Sequence, residues 1–401
     1  MEDKYSISIY TTLIKREQVT IVCNTGWGTF LKLPTECWEN IEKYIAVYSP
    51  KEICDAAQSE DKDYYEKIFS LLIEKKILTK EKETIDTIDV SLTNRCNLQC
   101  MHCAASAKKV SDKENLTTTQ WKTIMDKIIL AQPNLIVLTG GEPLVRTDFE
   151  EIVSYIRTKH NKKMELMTNG LLINGENVRK IIKWFDAISI SIDGFNEESC
   201  AAIRGKGVFQ KVLNTVELLI DNGFKRERLS LSLVETEQNY QQIDQFISLC
   251  DRYGVKSVVR RFAPVGRGND NREKLQVDEN IFQKNELHRL SKNKNRDASN
   301  KLICRSCRAG KGKLYINYCG DIYPCQLLDT KEYCIGNILK GDNISLTTNS
   351  YRKTSLYNKC KDCDVEPFCR FCIAMEKCAE NPLEYNCMQR KNIISKIVWG
   401  E

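Results

Sequence analysis

Cys96-Asn97-Leu98-Gln99-Cys100-Met101-His102-Cys103 places three thiols within eight residues, at C-x3-C-x2-C spacing. The run follows a strand-like segment, Thr87-Ile88-Asp89-Val90-Ser91-Leu92. A tetrahedral zinc site takes four ligands, usually as two close pairs. Three close thiols without a fourth suit a cubane iron–sulfur cluster better, because three irons are held and one stays open. An open iron at a strand end is a place for chemistry.

Beyond this run, strand-like stretches alternate with amphipathic helices. The strands read as 85–92, 135–138, 164–168, 187–192, 229–234 and 257–262. Apolar residues recur at helical spacing between them, as in Trp121, Ile124, Met125 and Ile128, or Val212, Leu213, Val216 and Leu219. Six such units predict a parallel sheet with right-handed crossovers, an α/β fold curled into an incomplete (β/α)6 barrel over 85–267. Its site belongs at the carboxyl ends of the strands. The motifs fall there. The cysteine run follows strand one, Thr139-Gly140-Gly141-Glu142-Pro143 follows strand two, and Thr168-Asn169-Gly170 closes strand three. Ser189-Ile190-Ser191-Ile192-Asp193-Gly194 ends strand four. Each glycine lets backbone approach a ligand closely, and Glu142 can face an ammonium group.

These residues together resemble the radical S-adenosylmethionine (SAM) enzymes. The resemblance implies a 4Fe–4S cluster on Cys96, Cys100 and Cys103, its open iron chelated by the amino and carboxylate groups of SAM. It implies SAM contacts at His102 beside the adenine and at Gly140, Gly141, Glu142 and Pro143 around the methionine amine. Ser191 would reach the ribose or carboxylate and Arg204 would pair with the carboxylate, Asn169 and Asp193 would also bind SAM, and the backbone of Leu233 would contact the adenine. It implies a 5′-deoxyadenosyl radical that takes hydrogen from a substrate. The sequence offers no catalytic acid or base beyond the SAM cluster.

The chain has 401 residues and 19 cysteines, eight before residue 300 and eleven from Cys304 to Cys387. In a long chain with no signal-peptide pattern and no apolar run of membrane-spanning length, metal binding accounts for them better than disulfides. The expected compartment is the cytoplasm, with no membrane partner. The net charge of +6 comes from scattered residues, so no nucleic-acid partner is expected.

Cys307, Gly320 and Cys325, then Cys360-x2-Cys363-x5-Cys369-x2-Cys372 and finally Cys387, resemble the SPASM domain of peptide-modifying radical SAM enzymes. The resemblance implies two auxiliary 4Fe–4S clusters within 304–392, making three in all. One would use Cys304, Cys307, Cys325 and Cys372, the other Cys360, Cys363, Cys369 and Cys387. Two residues separate Cys369 from Cys372 where the family has three, and Cys378 competes with Cys372 or Cys387. Cys23, Cys37, Cys54, Cys200 and Cys250 read as ordinary buried cysteines, and Cys319 and Cys334 stay open.

Residues 1–80 read as a separate module. Strands are expected at 6–10, 18–22 and 29–33, with Thr35 capping one helix and Tyr65, Ile68, Phe69 and Leu72 on another. The module resembles winged-helix domains that recognise leader peptides by strand addition. A polar connection is expected over 268–303, with a helix around 277–290, after Pro264-Val265-Gly266-Arg267. The module order implies maturation of a ribosomally made precursor peptide, bound through its leader, to a thioether or carbon–carbon cross-link. An external one-electron reductant is implied too. Two alternatives remain: a sulfatase-type maturase forming formylglycine, which generally lacks an N-terminal module, and a non-enzymatic zinc-stabilised binding protein.

Overall fold

The computed structural model describes residues 4–80, 85–278, 304, 307–310, 312–341, 344, 363–369, 372, 374 and 384–400. The chain divides into two compact units. The first joins Met1–Thr84 with Asp297–Gly312 and Leu346–Glu401. The second joins Ile85–Arg296 with Lys313–Ser345.

In the first unit, β1 (Ser6–Ile7) pairs with β5 (Leu78–Thr79). Strands β2 (Thr11–Arg16), β3 (Val19–Asn24) and β4 (Thr29–Pro34) form an antiparallel sheet in sequence order. The alternation at 6–10 therefore makes only a short pair, and the sheet begins at Thr11. Three helices follow: α1 (Thr35–Tyr44), α2 (Pro50–Ala56) and α3 (Ser59–Glu74). Thr35 starts α1 without a capping side chain, because Pro34 holds the cap position. Ser49 and Glu52 make a capping box on α2. Trp38 and Ile41 of α1 meet Phe69 and Leu72 of α3 in one buried cluster. A second cluster joins Ile14, Ile21 and Cys23 to Cys304, Phe368 and Val398. Phe30 and Phe368 meet edge to face at 5.3 Å. The N-terminal segment thus completes its core with C-terminal residues of the same unit.

The second unit carries β6 (Thr87–Ser91), β7 (Arg95–Cys96), β8 (Lys108–Lys109), β9 (Leu135–Thr139), β10 (Lys163–Thr168), β11 (Ala187–Ser191), β12 (Leu229–Glu235) and β13 (Lys256–Arg261). Strands β6 and β9 to β13 are parallel neighbours in sequence order. Between them run α4 (Thr118–Leu130), α5 (Phe149–Lys159), α6 (Val178–Trp184), α7 (Glu197–Arg204), α8 (Val208–Asp221) and α9 (Ile243–Tyr253). Ile88, Val90, Ile136, Leu138, Met164, Leu166, Ile188 and Ile190 are fully buried at every second strand position, the face a helix layer covers. The other face carries Asp89, Ser91, Thr139, Glu165, Ser189, Ser191, Ser230 and Ser232. That face is a polar lumen.

Past α10 (Arg267–Asp270) and α11 (Arg272–Leu275), β14 (Lys313–Ile316) pairs in parallel with β6. Strands β15 (Asp321–Tyr323) and β16 (Gly336–Asn337) extend the same sheet to nine strands. Part of the expected 304–392 segment therefore belongs to the barrel sheet. The helix expected at 277–290 lies almost wholly outside the described residues. Among those residues, no helix is long and apolar enough to cross a membrane.

Candidate active site: the cysteine loop and its braces

β7 pairs in parallel with β8, closing a neck under the loop that carries the cysteines. Cys100 is buried, and Cys96 and Cys103 are half-buried. Each thiol has a nitrogen donor. Leu98 N donates to Cys96 Sγ at 3.3 Å, and Ala107 N to Cys103 Sγ at 3.5 Å. Arg204 Nη1 lies 3.8 Å from Cys100 Sγ. Burial pushes the Cys96 thiol up to about 12 against the Leu98 N–H. It raises Cys100 too, opposed by the Arg204 guanidinium. A bound metal supplies the positive charge that makes such thiols ligands.

Neighbouring loops clamp this one. Met101 N donates to Ile203 O at 3.0 Å. Arg267 uses three donors: its backbone N to Cys103 O at 3.0 Å, Nε to Cys100 O at 3.1 Å, and Nη1 to Ala107 O at 2.8 Å. Gly266 has φ +57°, and a Cβ there would stand 2.4 Å from Ala104 O. Pro264-Val265-Gly266-Arg267 is therefore a clamp on the cysteine loop, a role its weak sequence signal did not reveal.

Gly140 and Gly141 serve a close approach, and here the neighbour is protein backbone. A Cβ on Gly140 would meet Thr93 O at 2.5 Å, and one on Gly141 would meet Arg95 O at 2.2 Å. Gly141 N donates to Thr93 O and Glu142 N to Arg95 O, both at 2.8 Å. Glu142, expected to face an ammonium group, is fully buried, with its carboxylate against the end of strand three. Its carboxylate accepts from Asn169 N at 2.7 Å, Thr168 Oγ1 at 2.8 Å and Leu144 N at 3.1 Å. Pro143 opens the short turn that Glu142 caps. Asn169 Nδ2 reaches Asn97 Oδ1 at 2.7 Å, tying strand three to the cysteine loop.

Asp193 sits at φ +57°, a region an aspartate tolerates better than most residues. Its Oδ2 takes Arg204 Nε at 2.6 Å and His102 Nε2 at 3.0 Å. Its Oδ1 accepts from Val234 N at 2.6 Å. Burial pushes this carboxyl up, but Arg204 and His102 outweigh it and hold it well below the usual range. Arg204, expected to pair with a ligand carboxylate, thus already has an internal partner. Ser191 is half-buried at the end of β11, and Leu233 is buried within β12.

The family model of the Radical SAM superfamily matches residues 90–250. Over 304 residues the chain is 31% identical to the mycofactocin maturase MftC of Mycolicibacterium smegmatis, covering 72% of this chain and 75% of that protein. This chain belongs to the radical SAM superfamily. It is 27% identical to AlbA, the antilisterial bacteriocin subtilosin biosynthesis protein of Bacillus subtilis, over 86% of this chain and 81% of that one. Its fold is similar to that of Streptococcus suis SuiB bound to the precursor peptide SuiA, with a TM-score of 0.57 at 15% identity, over 94% and 98% of the two chains.

As a radical SAM enzyme, the chain uses SAM and a 4Fe–4S cluster, and the residues present fit both. The loop offers three thiols, each with a nitrogen donor. Among the described residues, no three His, Cys, Asp or Glu side chains converge on a single ion. Cubane ligands stand wider than that, since each thiolate binds its own iron. His102 Nδ1 is buried and, among the described residues, has no hydrogen-bond partner, a need that an adenosyl group can meet.

The auxiliary cysteines divide by environment. Cys304 is fully buried, with Sγ 2.9 Å from Thr29 O and Cys23 as its neighbour. Cys307 is exposed, and Cys325, Cys363, Cys369, Cys372 and Cys387 are half-buried. Burial raises the Cys363 thiol, and Cys387 lies near enough to add to the effect. Cys360 and Cys378 lie outside the described residues. Cys23, Cys37, Cys54, Cys200 and Cys250 are all buried.

Glu142 yields a pH test. Burial raises its carboxyl from the ordinary 4.5 to about 7, against its three donors. A raised carboxyl contributes stability that is full below its ordinary value and lost as pH rises through about 7. In cluster-free protein, the thermal midpoint of wild type should fall relative to Glu142→Gln between pH 5 and pH 8. Parallel curves would show that Glu142 does not titrate there.

Proposed function

We propose that this radical SAM enzyme matures a ribosomally made peptide, forming a thioether or carbon–carbon cross-link. The observation that carries the reading is the reach of the similarity. The likeness to AlbA extends over 86% of the chain, well beyond the residues 90–250 of the superfamily model. It therefore takes in segments that a bare radical SAM barrel lacks. SuiB, of similar fold over nearly the whole chain, holds a precursor peptide.

Cys96, Cys100 and Cys103 hold the cluster in this reading. His102, the Gly140–Pro143 turn, Asn169, Ser191, Asp193, Arg204 and Leu233 surround SAM. When bound, the pair supplies the 5′-deoxyadenosyl radical that takes a hydrogen atom. The protein's own work is placement, worth several orders of magnitude in rate when reacting atoms are held in near-attack geometry. The Asp193–Arg204–His102 group keeps the strand-four loop rigid. Glu142 joins the ends of strands two and three. The polar lumen hydrogen-bonds the peptide, and closing it excludes water from the radical.

The cysteine-rich segment from Cys304 onward holds two auxiliary 4Fe–4S clusters, and an external one-electron donor supplies the reducing electron. A reducing cytoplasm suits all three clusters. The leader adds as a strand to an open edge of the N-terminal sheet, β2 or β4. Deleting residues 1–80 would tear open the cluster shared with Phe368 and Val398, so hydrogen exchange is the better test. A leader peptide should slow amide exchange along Thr11–Arg16 or Thr29–Pro34. Exchange unchanged on both edges, with the peptide at saturating concentration, would refute leader binding there.

A further inference from the structure

We propose that Asp89 is the base that takes the proton released by the peptide when its new bond forms. The proposal rests on the peptide reading above and goes further by naming a catalytic residue in the lumen. Asp89 sits mid-strand on the lumen face of β6, on the strand that leads into the cysteine loop, and is 7% exposed. Its Oδ2 meets Lys313 Nζ of β14 at 2.5 Å. Its Oδ1 is buried and, among the described residues, has no hydrogen-bond partner. A buried acceptor left open in this way costs stability, and a substrate group can fill it.

The register puts Tyr315, Asp89, Val137 and Glu165 in one row across four adjacent strands. Serines and Thr139 occupy neighbouring lumen positions. Of the groups facing Asp89, Lys313 and Arg260 are cationic, Tyr315 is a phenol and Glu165 is the other carboxyl. Hydroxyls and cations make poor bases at neutral pH, and Glu165 is the more exposed carboxyl. Burial pushes the Asp89 carboxyl up, against Lys313 and Arg260, which strengthens it as a base. Lys313 fixes its orientation.

The chemistry balances. The peptide carbon first loses a hydrogen atom to the deoxyadenosyl radical. Joining a thiol sulfur to that carbon then forms one C–S bond and breaks one S–H bond. The proton would go to Asp89 Oδ1, and the electron to a one-electron acceptor of the iron–sulfur class, which the cysteine-rich segment would hold. A carbon–carbon link loses its proton from C–H instead.

The test uses full-length holoenzyme and a deuterated candidate precursor peptide, chosen from short reading frames neighbouring the gene. It reads deuterium transfer into deoxyadenosine, linked product per deoxyadenosine, and peptide affinity. In Asp89→Asn, product per deoxyadenosine should fall about a hundredfold, a much larger loss than any in deuterium transfer or peptide affinity. Asp89→Glu should recover part of the loss. In wild type, the same ratio should fall as pH is lowered from about 8 to about 5, because the base becomes protonated. An unchanged ratio in Asp89→Asn would overturn the proposal. So would a flat wild-type pH profile, which decides the matter if the variant fails to fold. Absence of deuterium transfer in wild type would overturn the peptide reading itself, and this proposal with it.

Discussion

Replacing Cys96, Cys100 and Cys103 together with alanine should abolish deoxyadenosine formation and remove about four irons per chain. The three thiols sit on a loop whose backbone is already fixed by Met101, Gly266 and Arg267. Removing the sulfurs therefore takes away ligands without removing the scaffold. On the proposal of two auxiliary clusters, the remaining iron should stay, because their cysteines lie far along the chain. Iron and deoxyadenosine measured on the same preparation check both parts. Residual SAM cleavage in the triple variant would refute the ligand assignment. Loss of all iron would show that the clusters depend on one another.

The second large effect is expected at Arg267, which no SAM or cluster atom need touch. Arg267→Met removes Nε from Cys100 O and Nη1 from Ala107 O. Hydrogen bonds from a charged donor contribute about 1.5–3 kcal/mol each. Losing two should loosen the loop enough to speed iron release to a chelator at least tenfold and slow SAM cleavage similarly. Arg267→Lys should rescue poorly, because an ammonium lacks the planar fork that reaches both carbonyls. Chelator-release kinetics on wild type and both variants measure this. Equal release rates would show that the loop holds without the clamp.

Much of the barrel was legible because its signal is local. Strands two to six begin and end within a residue or two of their apolar runs, and the cysteine spacing needs no tertiary information. What stayed hidden depends on long-range contact. Glu142 reads as a ligand-facing carboxylate beside two glycines. Its direction is set by Thr168 and Asn169, some 26 residues away. Gly140 and Gly141 read as ligand contacts, and their close approach to Thr93 O and Arg95 O was not visible in the sequence. β14 is a short run in a cysteine-rich stretch, and its pairing with β6 spans more than 200 residues. Asp89 was quoted only as part of a strand, since alternation reveals a face and not its function. In the N-terminal module, the pair at Ser6–Ile7 displaced the expected first strand because its partner at Leu78–Thr79 lies beyond local pattern.

Peptide maturation by radical chemistry is tested most directly by mass spectrometry. Candidate precursor peptides from short reading frames neighbouring the gene are incubated anaerobically with reduced holoenzyme and SAM. The expected product has lost two hydrogens, with fragmentation locating a link between two side chains and deoxyadenosine formed in proportion. A peptide of unchanged mass, alongside abundant deoxyadenosine from the same reaction, would contradict the reading.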